Sequence, residues 1–349
     1  MVTRKSDFDE YKRLGEPAKA EKAEIWQTAI GLQQVDGLTP SEYLIETAKQ
    51  NIEGQITIYE VHERLSRYYE TKPAQTSDER TEEADKVSAR IAAILSEKTF
   101  SFSPAEYITI HRRLFTGVYE FAGKIRDYNI SKAEWVLSGE TVYYASADSI
   151  RAALDYDFAQ EKVFVYKGLS KEEIADHIAK FVSGLWQIHA FGEGNTRTTA
   201  VFAIKYLRTF GFTVSNDLFV DHSWYFRNAL VRANYTDYKN NVFSTLDYLN
   251  RFFRNLLLGE NNVLINRDMR VSLVINNADG TINGTINDTV FSLIQGNPKI
   301  TGTQLSEQLG IGSRTVWREI KRLREGGYIE RVGSNKSGHW IVIKNTNGY

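Results

Sequence analysis

Apolar residues recur at three- and four-residue spacing along most of the chain, which predicts amphipathic helices. One such stretch precedes residue 189, and a second follows residue 197. Together the patterns predict helices at about 17–32, 41–54, 56–69, 80–97, 103–116, 147–160, 170–189, 195–210, 222–233 and 236–258. The sequence therefore predicts a mostly helical main part.

The segment between the two helices around residue 190 reads His-Ala-Phe-Gly-Glu-Gly-Asn-Thr-Arg over 189–197. The first N–H groups of a helix have no partner within the helix, and the helix dipole favours anions there. Gly194 and Asn195 stand at such a helix start, which is suited to binding phosphate.

Three side chains of this segment add candidate chemistry. A histidine such as His189, with an ordinary pKa near ~6.5, can accept a proton from an attacking hydroxyl at neutral pH. Glu193 offers a hard oxygen ligand for Mg²⁺, and Arg197 offers a forked donor for a second phosphate. Taken singly, a histidine at a helix end is more often structural, and Glu-Gly-Asn is more often a helix-entry turn. The ordered set is more specific than its members.

The ordered set resembles the signature of the Fic family, His-x-Phe-x-(Asp/Glu)-Gly-Asn-(Gly)-(Arg)-x-x-(Arg). The resemblance implies a protein adenylyltransferase, which transfers AMP from ATP to a Tyr, Ser or Thr hydroxyl of a target protein or of itself. It assigns His189 as the base and Glu193 as the ligand of Mg²⁺. The matching positions are His189, Phe191, Glu193, Gly194, Asn195 and Arg197.

By the same resemblance, Gly194, Asn195, Thr196 and Arg197 bind the nucleotide. The chain departs from the pattern at two positions: Thr196 replaces the usual second glycine, and Ala200 stands where the last arginine is expected. In the family that arginine holds the γ-phosphate, so one expected clamp is missing. The same arginine pairs in the family with an inhibitory glutamate, here Glu53, and Arg197 is expected to serve part of both roles.

The predicted helix from Ser41 to Gly54 has a serine cap and a terminal glycine. It resembles the inhibitory helix that precedes many Fic cores, whose pattern is (Ser/Thr)-x-x-x-Glu-(Gly/Asn). Glu53 and Gly54 match this pattern, while Lys49 replaces the serine or threonine. The resemblance implies auto-inhibition through Glu53 and Gly54. The alternative interpretation is a surface helix with a glycine stop.

Residues 128–144 alternate short apolar groups around a glycine-bearing turn, which predicts two short strands. The preceding segment 118–126 resembles the Ala-Gly-x-x-Arg turn of Fic cores. The resemblance makes the hairpin a flap that pairs with an extended target segment, with Trp135, Val136 and Leu137 binding the target. The alternative is a hairpin that only covers the core.

Beyond residue 260, a segment rich in Asn, Gly and Thr predicts a linker or a marginal strand pair. The order helix, helix, turn, helix and hairpin then resembles a winged helix-turn-helix. Residues 285–344 contain nine basic and five acidic residues, hence about +4. Arg314, Arg318 and Arg322 are the expected DNA contacts. The alternative is a module that binds protein or forms dimers.

The amino-acid composition excludes cysteine chemistry and gives no overall charge that would attract nucleic acid. The 349 residues carry a formal net charge of -1, so DNA binding requires a local patch. The absence of cysteine excludes disulfides and thiol catalysis. The start does not resemble a secretion signal, and no apolar run approaches the roughly 20 residues of a membrane span. A cytoplasmic protein without a membrane partner is expected, and the sequence leaves a homodimer open.

The predicted fold class is mainly α: a Fic-type helical core with a β-hairpin flap, followed by a small α+β winged-helix domain. The predicted domains are an N-terminal region at 1–75, a core at 76–260, a linker at 261–286 and the winged helix at 287–349. The partners implied are ATP, Mg²⁺, an unknown target protein and DNA. The alternative function is a DNA-binding transcriptional regulator whose Fic-like core is a nucleotide sensor or an inactive enzyme.

Overall fold

A computed structural model gives the arrangement of most of the chain. It describes residues 8–11, 16–71, 76–212, 217–271, 274–277, 280–283, 286–309, 312–325, 327–333 and 338–343, without the side chains of 17, 76–78, 217, 274–289, 292, 307–309, 322 and 325. The chain divides into two compact units. The first comprises Met1–Ser131, Val142–Tyr235 and Ser244–Met269, and the second Lys132–Thr141, Thr236–Phe243 and Arg270–Tyr349.

The first unit is built from helices, which confirms the prediction of a mainly α fold with a helical core. Its helices are α1 (Pro17–Gly31), α2 (Glu42–Ile52), α3 (Ile58–Glu70), α4 (Thr76–Ser96), α5 (Pro104–Phe115), α6 (Ile150–Val163), α7 (Lys171–Ile188), α8 (Asn195–Thr209), α9 (Asp217–Ala233) and α10 (Asp247–Leu258). Short 3₁₀ turns follow α1 at Leu32–Asp36 and α10 at Asn266–Met269. Among the described residues, no helix combines the length and apolarity needed to cross a membrane.

Side-chain caps explain where several helices begin. The Ser41 hydroxyl accepts a hydrogen bond from the Leu44 N–H at 3.1 Å, which confirms the predicted serine cap of α2. Thr57 and Ser170 start α3 and α7 with reciprocal capping boxes. After α2, Gly54 has a φ of 78°, a left-handed conformation that glycine adopts without strain. The sequence signals for these ends are thus local and specific.

The prediction of a helix over 236–258 is wrong in its first half. The Asp237 side chain accepts hydrogen bonds from the N–H groups of Lys239 and Asn240 at 3.0 and 3.3 Å. These bonds form a 3₁₀ turn at Tyr238–Asn240, and the helix begins only at Asp247. Aspartate near a chain turn competes with the helix in this way because its carboxylate satisfies backbone donors locally.

Helix α8 lies at the centre of the first unit, since every residue from Asn195 to Leu207 is buried. A helix that is buried all round is surrounded by other elements. On α8, Phe202 lies in edge contact with Tyr107 of α5 and Phe158 of α6, with ring centroids 5.6 and 5.4 Å apart. The start of α8, where the candidate loop ends, is therefore fixed by the core.

The C-terminal part of the second unit has the predicted order of a winged helix-turn-helix. Helices α11 (Ile286–Gly296), α12 (Gly302–Leu309) and α13 (Ser313–Glu325) precede an antiparallel hairpin, β3 (Ile329–Val332) with β4 (His339–Val342), which pairs Ile329 with Val342. They enclose a hydrophobic core of their own: Val290, Phe291, Ile294, Ile300, Leu305, Val316, Ile320, Leu323, Ile329 and Trp340. A further hairpin, β1 (Val274–Asn277) with β2 (Gly280–Asn283), lies inside the predicted linker.

The predicted strands at 128–144 are wrong: the described backbone contains no strand there. Residues Trp135–Leu137 form a 3₁₀ turn, closed by a 2.9 Å hydrogen bond from the Glu134 N–H to the Glu140 carbonyl. The Val271 N–H donates to the Val136 carbonyl at 2.8 Å, and the Ser138 hydroxyl donates to the Val271 carbonyl at 2.8 Å. These bonds within the second unit engage the Glu134 N–H and the Val136 carbonyl, which an edge strand would use to pair with a target segment.

The three side chains predicted to bind the target have different surroundings. Val136 and Leu137 are fully buried, whereas Trp135 is 37% exposed. The Trp135 ring lies 5.5 Å from the guanidinium carbon of Arg270. Of the three, Trp135 alone presents a sizeable surface to solvent, and target binding by this segment stays a prediction.

Candidate active site

His189 lies where helix α7 ends. Its backbone has a φ of 50° and a ψ of 57°, a left-handed conformation that is uncommon outside glycine and that turns the chain out of the helix. The residue is only 3% exposed. A strained, buried conformation of this kind persists only where surrounding contacts impose it.

Two aromatic rings flank the His189 imidazole. The Tyr144 ring is stacked on it with centroids 4.0 Å apart, and the Trp186 ring meets it edge-on at 5.5 Å. The Trp186 indole N–H donates a 3.0 Å hydrogen bond to the Thr196 hydroxyl, which joins the end of α7 to the first turn of α8. The orientation of the imidazole is therefore set by packing on two sides.

Arg126 holds the backbone that carries His189. Its Nε donates to the His189 carbonyl at 2.7 Å, and its terminal nitrogens donate to the carbonyls of Tyr128, Ala145 and Ile188. The residue is 4% exposed, so these carbonyls replace water as its partners. Carbonyls at the end of a helix carry partial negative charge, which suits a buried cation. One guanidinium thus ties the end of α7 to two neighbouring segments.

The Asn195 side chain closes the loop after His189. Its amide oxygen accepts from the Phe191 N–H at 3.0 Å, and its amide nitrogen donates to the Phe191 carbonyl at 2.7 Å. In the described part of the chain, no side chain caps the first turn of α8, whose cap residue is Gly194 with a φ of 76°. The first N–H groups of α8 therefore suit an anionic ligand.

His111 supports this loop from helix α5. Its Nδ1 accepts from the Gly123 N–H at 2.8 Å, so Nε2 carries the proton that is donated to the Glu193 carbonyl at 3.0 Å. Its ring stacks on Phe191 with centroids 3.7 Å apart. Burial lowers the pKa of His111 to about 4, which keeps the imidazole neutral. His111 therefore fixes the loop backbone as a neutral donor and acceptor.

Two glycines of the loop are required by close neighbours. A Cβ on Gly194 would lie 2.4 Å from ring atoms of Phe115, and a Cβ on Gly192 would lie 2.7 Å from the Tyr128 hydroxyl. Neither contact is sterically permitted, so the backbone approaches these rings only because side chains are absent. This is the local reason for glycine on both sides of Glu193.

The Glu193 carboxylate is exposed, unlike its neighbours in the loop. Among the described residues, no group of three or more His, Asp or Glu side chains comes together to hold a metal. Mg²⁺ is commonly held by one or two carboxylates together with substrate phosphates and water. An exposed carboxylate beside a helix start that suits an anion therefore fits Mg²⁺ that arrives with a nucleotide.

Arg197 lies elsewhere than expected: its guanidinium is buried among acidic groups. Its Nε lies 2.7 Å from a carboxylate oxygen of Asp36, and one terminal nitrogen lies 2.6 Å from Glu83. The other donates to the Gln33 amide oxygen at 3.0 Å. Burial works to lower the pKa of Arg197, but the charges of Asp36, Tyr119 and Glu83 outweigh it and raise the pKa. These contacts occupy the donors that were expected to bind phosphate.

Glu53 pairs with a partner that the sequence did not indicate. Its carboxylate lies 2.6 Å from the Lys19 ammonium, at the surface. This hydrogen bond lowers the pKa of Glu53. The described contacts of Arg197 do not include Glu53. The expectation that Arg197 is the inhibitory partner of Glu53 does not match this arrangement, because two other carboxylates neutralise that cation.

In the winged-helix part, Arg314 and Arg318 lie exposed on α13, as expected. Lys321 and Arg324 are exposed on the same helix. The side chain of Arg322 lies outside the described residues. The exposed face of α13 is therefore basic over nearly three turns.

Sequence reasoning missed His111 and Tyr144 and gave Arg126 no role at the site. His111 resembles any core residue of an amphipathic helix, and Tyr144 stands in a segment interpreted as a strand. For Arg126 the sequence does contain a signal, since it is the arginine of the Ala-Gly-x-x-Arg turn. The pattern alone does not show that this arginine binds the backbone of His189.

Comparison with known proteins gives two matching families. The profile of the Fic/DOC family matches residues 101–207, and that of winged helix-turn-helix DNA-binding proteins matches residues 290–330. The first match contains the loop from His189 to Arg197, together with Arg126 and His111. The second contains helices α12 and α13 and most of α11.

Two curated relatives align with part of the chain. The protein adenylyltransferase VbhT of Bartonella schoenbuchensis is 28% identical over 132 residues, which are 38% of this chain and 25% of that protein. The probable protein adenylyltransferase y4lH of Sinorhizobium fredii is 33% identical over 114 residues, 31% of this chain and 54% of that protein. The chain thus spans about a quarter and about half of these relatives.

Among solved structures, a Fic family protein from Desulfovibrio desulfuricans is similar over 98% of this chain and 94% of that one. Its sequence identity is 14% and the TM-score is 0.46.

Proposed function

Because the chain contains a Fic/DOC-family domain followed by a winged helix-turn-helix segment, we propose that it is a protein adenylyltransferase. It transfers AMP from ATP to a Tyr, Ser or Thr hydroxyl of a target protein or of itself. The observation that supports this most is the position of His189, at a left-handed helix end that leads within one short loop to the uncapped start of α8. In this proposal the base and the phosphate-binding helix start belong to one loop, whose backbone is hydrogen-bonded to His111, Arg126 and Asn195.

In this proposal the first N–H groups of α8, at Gly194, Asn195 and Thr196, bind the α- and β-phosphates. His189 accepts the proton of the target hydroxyl. The hydroxyl oxygen then forms a bond to the α-phosphorus, the bond from that phosphorus to the bridging oxygen breaks, and pyrophosphate leaves. Glu193 would hold Mg²⁺ together with the phosphates, and the ion would supply neutralising charge.

The test is transfer of label from ATP to the purified protein and to added candidate targets. Label in the α-phosphate is expected to become covalently attached with the parent protein, and label in the γ-phosphate is not. His189→Ala is expected to reduce transfer by about 10²–10⁴ while ATP binding persists. Transfer by His189→Ala at the parent rate would contradict the assigned role.

DNA binding through α13 is a second candidate function, with regulation of transcription as the alternative to enzymatic activity. It is supported by the four exposed cations on that helix, Arg314, Arg318, Lys321 and Arg324. A basic helix in this fold suits contact with DNA phosphates and the major groove. No label transfer by any form, together with ATP and DNA binding, would favour the sensor and regulator.

DNA binding is tested with a random-sequence duplex at several salt concentrations. Replacement of Arg314 or Arg318 by Ala is expected to weaken binding and to reduce the slope of log K against log salt by about 1 for each phosphate that the variant no longer neutralises. Glu53→Ala is a suitable control, because it removes a charge from the other unit. Absence of salt-dependent binding to the duplex would instead favour a protein-docking role.

A homodimer, a cytoplasmic location and the auto-inhibition that the resemblance implies for Glu53 stay predictions. For Glu53 we favour the alternative interpretation, a surface helix with a glycine stop. For auto-inhibition, the described contacts of Arg197 point to Asp36 and Glu83 rather than Glu53.

A further inference from the structure

We propose that Thr196 is a positioning residue that orients the catalytic base His189 through Trp186. The proposal rests on the transfer function proposed above. It concerns the side chain of Thr196, whereas phosphate binding was assigned to the backbone N–H of the same residue. A hydroxyl at this position is also a departure of this chain from the pattern that it resembles, where glycine is usual.

Thr196 and Trp186 are joined by a buried hydrogen bond. The Thr196 hydroxyl accepts the Trp186 indole N–H at 3.0 Å, and both residues are buried, at 5% and 1% exposure. An indole N–H is a donor only, and a buried donor without an acceptor is costly. Thr196 therefore fixes the rotation of the Trp186 ring.

Trp186 in turn contacts the imidazole of His189. The indole meets the imidazole edge-on, at 89° and 5.5 Å, and meets Tyr144 in the same manner at 72° and 5.7 Å. The Tyr144 ring is in turn stacked on the imidazole at 4.0 Å. The three rings contact one another, so a rotation of the indole moves both neighbours.

The orientation of His189 decides whether it can act as the base. A base acts only when its nitrogen lies within hydrogen-bonding reach of the attacking hydroxyl, and a displacement of about 1 Å can cost roughly 10² in rate. The Thr196 hydroxyl is already engaged with Trp186, so its loss is expected to affect the orientation of His189 rather than the binding of ATP. The prediction is thus a change in kcat with little change in the KM for ATP.

The experiment compares Thr196→Val with Thr196→Ser in the full chain. Valine keeps the shape but removes the acceptor, and is expected to lower kcat about tenfold with the KM for ATP within about threefold of the parent. Serine restores the acceptor and is expected to return kcat to within about twofold of the parent. Trp186→Phe is expected to lower kcat similarly, and Thr196→Val in that background is expected to add little.

Thr199→Val is the matched control. Thr199 is a buried threonine of the same helix, and its hydroxyl is bonded to the Tyr107 hydroxyl at 2.9 Å. Its replacement also removes a buried hydrogen bond to an aromatic side chain, but the Tyr107 ring packs on Phe191 and Phe202. The rings that flank His189 are those of Tyr144 and Trp186. It is expected to lower thermal stability as Thr196→Val does, while kcat stays within about twofold of the parent.

Several outcomes would overturn the proposal. These are an unchanged kcat in Thr196→Val, an equal loss in Thr199→Val, or a raised KM for ATP with unchanged kcat, which would assign the hydroxyl to phosphate binding. NMR of the His189 ring separates this proposal from the transfer function. If the parent transfers nothing, displaced His189 signals in Thr196→Val alone still support positioning, and unmoved signals refute it.

Discussion

The buried cations of the first unit and the exposed cations of α13 have the same chemistry but different surroundings. Arg126 and Lys205 are less than 5% exposed, and both donate to carbonyls at helix ends, those of α7 and α4 respectively. Arg197 is 1% exposed and lies between two carboxylates. Arg314 and Arg318 are instead exposed on one helix.

This difference separates structural cations from cations that are available to a ligand. A buried cation without partners would be strongly destabilising, so its donors are committed to the fold. An exposed cation contributes little to folding and can exchange water for a phosphate. A basic residue in a recognised motif therefore identifies a position and not, by itself, a role.

Arg197→Ala tests most directly whether a buried cation is structural. Removal of the buried cation leaves Asp36 and Glu83, whose side chains are 27% and 18% exposed, without their partner. Because water reaches these carboxylates, we expect the free energy of unfolding to fall by about 3 kcal/mol, the lower end of the range for a broken buried pair. Urea unfolding measures this change.

Arg314→Ala is the control for Arg197→Ala, because exposed substitutions usually change stability by less than about 0.5 kcal/mol. If Arg197→Ala folds as stably as the parent and instead raises the KM for ATP, the guanidinium binds phosphate. Its contacts with Asp36 and Glu83 are then not the ones that it makes when ATP is bound.

Arg126→Lys tests whether the forked guanidinium is needed at the end of α7. An ammonium group has three donors and cannot reproduce the geometry that reaches the carbonyls of His189, Tyr128 and Ala145. We expect a loss of about 2–3 kcal/mol in stability, since buried carbonyls are left without donors. We also expect a fall in kcat of about tenfold or more, because His189 moves.

A matched control is Arg208→Lys, since Arg208 donates to the Leu95 carbonyl near the end of α4. That substitution is expected to leave kcat within about twofold of the parent. An equal fall in kcat for both variants would show a general loss of folding rather than a positioning role for Arg126.

His111 extends the comparison to a buried base that stays neutral. Its pKa is lowered to about 4 in the folded chain, against about 6.5 when unfolded. Between these two pKa values the unfolded chain binds a proton at His111 that the folded chain does not. The contribution of His111 to the free energy of unfolding is therefore fully present above pH 6.5 and is lost as the pH falls towards 4. Between pH 6.5 and 5 the loss is about 2 kcal/mol, at about 1.4 kcal/mol for each pH unit.

His111→Gln is expected to remove this part of the pH dependence. Urea unfolding at pH 7 and pH 5 would then show a smaller loss for the variant than for the parent, by about 2 kcal/mol. The exposed His339, replaced in the same way, serves as the control. Identical pH dependence of the parent and His111→Gln would mean that another group titrates.

The sequence predicted those parts that depend on local patterns. Residues close together in the sequence set the periodicity of α7 and α8, the Ser41 cap and the order of elements in the winged helix. These features could therefore be predicted. The helix start at Asp247 was missed, because the competing turn depends on the bonds of one side chain, that of Asp237.

The contacts that surround the candidate site could not be predicted from the sequence to the same degree. Arg197 is separated from Asp36 by 161 positions, so nothing near it in the sequence shows that its donors are occupied. Tyr144 likewise reaches His189 only through the fold. A motif gives the order of chemical groups, whereas long-range packing decides which of them face a ligand.

The smallest effect is expected from Glu53, whose ion pair with Lys19 is exposed. Exposed pairs are weak, and the described contacts of Arg197 do not depend on Glu53. We therefore expect Glu53→Gly to change AMP transfer by less than about twofold, measured with α-labelled ATP. Lys19→Ala, which removes the same pair from the other side, should behave alike. A large rise in transfer for Glu53→Gly alone would show that Glu53 restrains the site in a conformation other than this one.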